Sequence, residues 1–260
     1  MFLPASYQHE KDRQFFGQIL QNKTVTELFE WCRDNHLDDV YQYVYQASYL
    51  RITSETVPEI YSLIKKASCE FGLGTVPNCY LVHNYDLKVE IIGIFEPALI
   101  VSEEYINSVG KESFYGALAS QAAGIAVGHY KGLALSWIFD VCAGMLPVPQ
   151  AVLSPLQVLL NKWKRCRWYT CDRAFLLATG DYCLALESLF DRTVPLHILK
   201  RFQLGTDRDA YQTQLQSFLK ESAISKITNL AHSLQSDTTW TPERYQELQK
   251  FYFQSREEML

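Results

Sequence analysis

Neither a CxxC pair, nor a phosphate-binding glycine loop, nor a GxSxG elbow occurs in the 260 residues. Their absence removes the sequence case for a paired-cysteine metal or redox site, for a phosphate cradle and for an α/β-hydrolase nucleophile. Massed basic charge is missing as well. The 24 Lys and Arg are scattered among 29 Asp and Glu, with a net charge of −5, which argues against a nucleic-acid partner. The seven cysteines are odd in number and read as reduced thiols, several of them buried, in a cytoplasmic protein. The opening MFLPASYQHEKDRQ has no basic region followed by an apolar one, so secretion is not expected. No apolar run reaches the roughly 20 residues of a membrane span. The longest such stretch, 133–160, carries Asp140 and is interrupted by Pro147 and Pro149. Buried core helices are expected there rather than a re-entrant hairpin. Integral insertion is not expected, and peripheral membrane contact through 133–160 stays open.

What is present is apolar and aromatic: 48% hydrophobic residues, 13% aromatic and sixteen tyrosines, which suits a folded core and a protein-binding surface. Residues 10–49 read as helical, with breaks near Gly17, Lys23 and His36 and with Thr24 as a helix cap. Pro58 opens and Gly72 closes the next helix. The runs 78–84, 87–94 and 98–102 are short and β-rich and read as a small meander. Helical pattern returns from Glu103, with a break at 147–150, and Thr241-Pro242 starts a last helix. The acidic doublets Asp38-Asp39 and Glu103-Glu104 read as solvated faces. An α+β fold follows: an N-terminal helical segment over 1–53, then a mostly helical domain with a small β-sheet over 54–260.

Two segments carry a resemblance. LASQAAGIAVGH at 118–129 and RWYTCDRAFLLAT at 167–179 are similar, in that order, to the metal-binding helix and the later CDRA helix of the HtpX-like and CAAX-prenyl-endopeptidase zinc metallopeptidases, gluzincins of zincin-like fold. Leu118, Ala119, Ile125, Gly128 and His129 fit the first helix. Tyr169, Cys171, Asp172, Arg173, Ala174 and 176–179 fit the second. VPNCYLV at 76–82 resembles the strand leading into that family's sheet edge, and Gly93 its following turn. The resemblance covers about residues 55–260 and implies a zincin-like domain.

The same resemblance puts the family's two histidine ligands on Ser120 and Gly124, its glutamate base on Gln121 and its third ligand on Trp168. A hydroxyl is a poor zinc ligand, an amide takes no proton near neutrality, glycine has no side chain and indole N–H only donates. The expectation is therefore a catalytically dead pseudo-peptidase with no metal, no cofactor and no catalytic residue. Trp168 is expected to lie over Ser120 and Gly124, filling the former metal position. His129 and Asp172 are read as remnants of the outer shell. His129 would end its helix and pack in the core, and Asp172 would pair with Arg173, Tyr169 or His129. The function expected is protein binding, as a regulatory or scaffold protein. A partner segment would lie in the former substrate groove beside Ile91, Gly93 and Phe95, on the edge strand where the family receives peptides by strand addition. Two other readings stand beside it. One is an enzyme or metal site rebuilt from Cys166, Cys171, His129 and Asp172, although Cys166 and Cys171 fall on different helix faces. The other is a subunit whose old site is only core.

Overall fold

A computed structural model gives the structure of residues 1–83, 88–141, 150–190 and 241–257. The break expected at 147–149, Cys142, the ends of two strand runs at 84–87 and the region 191–240 lie outside the described residues. Four short helices come first: α1 (Pro4–Tyr7), α2 (Glu10–Leu20), α3 (Lys23–Asp34) and α4 (Leu37–Ser48). Gly17 does not break its helix. The α3 cap is Asn22, whose side chain accepts the Thr24 amide, so Thr24 lies inside the helix it was expected to cap. A two-residue strand β1 (Leu50–Arg51) follows, too short for any period to reveal. Helix α5 (Pro58–Glu70) runs between Pro58 and Gly72 as expected.

Three more strands, β2 (Asn78–Val82), β3 (Val89–Ile92) and β4 (Ala98–Ser102), complete a sheet of order β1-β2-β4-β3. The expected meander is wrong. β4 lies between β2 and β3, parallel to the first and antiparallel to the second. Alternation identifies strands but not their neighbours. The better guide was ALIVS itself, an unbroken apolar run of the kind buried on both faces; all five of its residues are buried. Leu99 and Val101 join Val89 and Ile91 against α5 and the later helix α7, while Ala98 and Ile100 join Tyr80 and Ile92 beneath Tyr41 and Tyr45 of α4.

The β3–β4 turn is built around Gly93 at φ 101°, where a Cβ would stand 2.1 Å from the Glu96 carbonyl oxygen, so only glycine fits. Asp38, expected on a solvated face, closes this turn. Its Oδ1 accepts the amides of Ile94 at 2.7 Å and Phe95 at 3.2 Å. Glu104 is likewise engaged, with Ser102 Oγ at 2.7 Å and His83 at 2.7 Å.

The remaining helices are α6 (Glu103–Ser108), α7 (Lys111–Ala126), α8 (His129–Val141), α9 (Gln150–Thr179), α10 (Tyr182–Phe190) and α11 (Thr241–Glu257). α9 unites two segments that read separately; its 30 residues make a rod of about 45 Å. Among the described residues no helix is long and apolar enough to cross a membrane. Within 133–160, Leu135, Ile138, Leu156 and Leu160 are buried in a core shared with Phe16, Ile19 and Leu28 of the N-terminal helices. That core depends on close approach: a Cβ on Gly132 of α8 would lie 2.3 Å from the Trp163 ring of α9. Gly132→Ala is expected to destabilise the protein by about 1–3 kcal/mol through overpacking, despite better helix propensity. Urea unfolding measures this, and an unchanged midpoint would contradict the close α8–α9 crossing.

Candidate functional site

Helix α7 is buried on every side from Leu118 to Ile125, which is why its apolar pattern has no helical period. It crosses α9 closely because its residues are small. A Cβ at Gly116 would lie 2.4 Å from the Phe175 ring of α9. Four positions further along, Ser120 Oγ donates to the Cys171 carbonyl oxygen at 2.8 Å. The hydroxyl thus serves as a tie between the two buried helices.

Ser120, Gln121 and Trp168 line one cavity of about 30 Å³, together with Lys88 and Val89 at the start of β3 and Asp172 and Phe175 of α9. Trp168 is 9% exposed and so is packed inside. Arg167 lies over its ring at 4.0 Å and Arg244 at 5.3 Å, two cation–π contacts. The sequence-based placement of Trp168 needs correcting in one respect. Gly124 faces Ile91 Cδ1 and His129 Nδ1, which a Cβ there would meet at 2.9 and 3.1 Å. The space left at 124 is therefore filled by a strand residue and an imidazole.

Asp172 pairs with none of the residues expected. Its carboxylate accepts from Arg244 of α11, from Nε at 2.8 Å and from Nη2 at 2.5 Å, with both residues buried. Burial acts to lower the Arg244 pKa, but the charge and hydrogen bonds of Asp172 outweigh it and raise it. The bidentate pair seals the cavity wall and docks α11.

His129 does not end α7. It begins α8, after Gly128 at φ 84°, and is wholly buried. Its Nε2 meets Asp12 Oδ2 at 2.9 Å. The same carboxylate accepts from Trp163 Nε1 at 2.8 Å and Thr170 Oγ1 at 2.6 Å. Asp12 on α2 thereby ties the N-terminal helices to α8 and α9. Burial pushes its carboxyl up, but the His129 charge and the three hydrogen bonds hold its pKa below the ordinary value. Burial likewise acts to lower the His129 pKa. The Asp12 charge and hydrogen bond, helped by the Cys171 side chain, override this and raise it to about 9. His129 Nδ1 makes no well-formed hydrogen bond; it looks toward Gly124. Sequence reading missed Asp12, Thr170, Trp163 and Arg244, because only contacts 72 to 158 residues apart give them their roles.

The residues at the implied zinc position do not fit the metal. Ser120 is committed to a carbonyl, Gln121 and Trp168 offer no anionic ligand, and Gly124 offers nothing. Of the residues of the rebuilt site, Cys171 acts on His129. His129 and Asp172 are engaged by Asp12 and Arg244, and burial pushes the Cys166 thiol up to about 11. Among the described residues no three His, Cys, Asp or Glu side chains are grouped to hold a metal ion.

The candidate edge residues are placed differently from one another. The Ser102 amide bonds the Lys88 carbonyl, and the antiparallel register pairs 90 with 100 and 92 with 98. Residues 88, 90 and 92 therefore turn their backbone groups to β4, and Val89 and Ile91 turn theirs to the outer edge. Gly93 makes the turn. Phe95 has its amide taken by Asp38 and its ring set beside Phe29 and Arg33. No strand pairs with the outer edge among the described residues, but Val89 and Ile91 are only 1% and 4% exposed, so a partner strand reaches them only after what packs over the edge moves aside.

No family model, no curated protein and no solved structure matches the chain.

The Asp12 cluster generates two predictions. Asp12→Ala strands a buried imidazolium and two buried donors, and is expected to cost on the order of 3–5 kcal/mol in chemical denaturation. Because the His129 pKa is raised from 6.5 to about 9, the stability it contributes is full below pH 6.5 and is lost as pH rises to about 9. The Asp12 contribution has the opposite sense, present above the ordinary 3.8 and lost on acidification. The Tm is therefore expected to fall between pH 6.5 and 9, and His129→Gln to flatten that slope. An equal slope in the variant would remove His129 as the cause.

Proposed function

We propose that this chain is a non-catalytic pseudo-peptidase of the zincin-like kind, a regulatory or scaffold protein that holds an extended segment of a protein partner without cutting it. One observation carries this reading. Val89, whose backbone is turned away from β4 and which is buried, lines a cavity whose Ser120, Gln121 and Trp168 occupy the positions where the resemblance puts a metal ligand, a base and a second ligand. An edge strand can still pair with an added strand when the chemistry beneath it is gone.

The competing reading, an enzyme rebuilt on Cys166, Cys171, His129 and Asp172, has less support. Both acidic and imidazole groups are held in buried ion pairs, and Cys171 is only 1% exposed. The six described cysteines are free thiols, which suits a reducing compartment, and a cytoplasmic location belongs to the same proposal.

The test is to purify the full chain, add equimolar zinc, dialyse and measure metal content alongside cleavage of extended peptides by mass spectrometry. Metal well below one equivalent and intact peptides are expected. Stoichiometric zinc that disappears in Cys171→Ser or His129→Gln would overturn the pseudo-peptidase reading in favour of the rebuilt site.

A further inference from the structure

Helix α4 carries apolar side chains on two faces, and the protein's own core uses one of them. Tyr41 and Tyr45 pack over the sheet. On the other side, Val40, Tyr43, Val44 and Ala47 follow the i, i+3, i+4, i+7 spacing of a continuous stripe, and all four are exposed. Val40 is 59% exposed, Tyr43 71% and Val44 51%. Tyr49 and Leu50, where the chain leaves α4 for β1, are exposed as well. Five of the nine large hydrophobic side chains exposed among the described residues therefore lie in this one stretch. Single exposed hydrophobes are ordinary, whereas a contiguous apolar patch marks a binding face. A helix apolar on both sides is ordinarily buried on both, yet no residue of α4 is fully buried.

We propose that this stripe binds a second copy of the chain, with the two α4 helices packed antiparallel about a two-fold axis beside residues 43 and 44. The composition of α4 limits the partner. It holds no Lys or Arg, so it lacks the basic face that seats a helix on anionic lipid or on nucleic acid. The stripe complements itself in size. Antiparallel pairing sets Tyr43 against the partner subunit's Val44 and Val40 against the partner subunit's Ala47, a larger side chain on a smaller one each time, as a two-fold contact requires. Charge agrees with this direction. Asp38 and Asp39 stand in the first turn of α4, and Arg51 follows its last turn. His36 offsets Asp39 in part, at 3.2 Å. Antiparallel helices bring the acidic start of each toward the partner subunit's Arg51 and oppose their dipoles, whereas parallel ones set the two copies of Asp39 side by side. α4 covers the opposite face of the sheet from α7, so this surface is separate from the cavity and does not depend on the groove reading.

The experiment is sedimentation velocity on the full chain at rising concentration, which is expected to show monomer passing into dimer. Val44→Glu sets two carboxylates beside the two-fold axis and is expected to weaken the dimer roughly ten-fold or more. Position 44 is exposed in the monomer, so circular dichroism and Tm in dilute solution should not change. Tyr43→Glu serves if that variant does not fold. Orientation is read with a short thiol cross-linker. Val40→Cys is expected to join to Ala47→Cys when the two variants are mixed, and neither to join to itself beyond the background of the unaltered chain, whose Cys69 and Cys183 are exposed. A chain that stays monomeric at every concentration, or a dimer that Val44→Glu leaves intact, overturns the proposal. Cross-linking of Val40→Cys to itself overturns the antiparallel arrangement.

Discussion

One buried carboxylate holds much of this molecule together. Asp12 stands on a short N-terminal helix, yet accepts hydrogen bonds from His129 at the start of α8 and from Trp163 and Thr170 on α9. A charge with no exposure is tolerable only when paired and fully hydrogen-bonded, and every partner comes from the α8–α9 pair. Removing Asp12 leaves all three stranded at once. The N-terminal helices are bound to the helical core by this polar cluster as well as by the apolar contacts of Phe16, Ile19 and Leu28.

The second constraint is proximity. α7 and α9 cross closely because Gly116 lies against Phe175 and Ser120 bonds the α9 backbone. The Asp172–Arg244 pair then closes the far wall and brings in α11. Between these fixed points a small cavity is left at the start of β3. Its shape comes from packing, and its polarity from Gln121, Lys88 and the Asp172–Arg244 pair that line it. The proposed binding role rests on these two facts together with the outward backbone of the edge strand.

Much of this was legible in the sequence, and the gaps have physical causes. The helix beginning at Pro58, the stop at Gly72 and the α+β class follow from local signals, proline at a first turn and short β-rich runs among helical ones. Strand order was not legible, because a two-residue β1 leaves no pattern and alternation does not name neighbours. Ser120, Gln121 and Trp168 are buried around one cavity. The filling of Gly124 by Ile91 and His129 required the strand's position. Asp12 and Arg244 carry no distinguishing local signal, since a first-turn acid is common on any helix. Their roles are set by partners far away in the chain. Asp38 misled for the same reason, as half of an acidic doublet that closes the Gly93 turn.

The register of β3 allows the central claim to be tested residue by residue. Amide hydrogen exchange, followed by NMR on the full chain with and without a bound extended peptide, reads each backbone group of the edge separately. Glu90 and Ile92 already face β4 and should be protected in both states. Val89 and Ile91, which are buried without a strand partner among the described residues, should be less protected alone than Glu90 and Ile92 and gain protection when the peptide is added, while the peptide is recovered uncut. Protection that leaves Val89 and Ile91 unchanged, or a peptide recovered in two pieces, would contradict a strand-adding groove that has lost its chemistry.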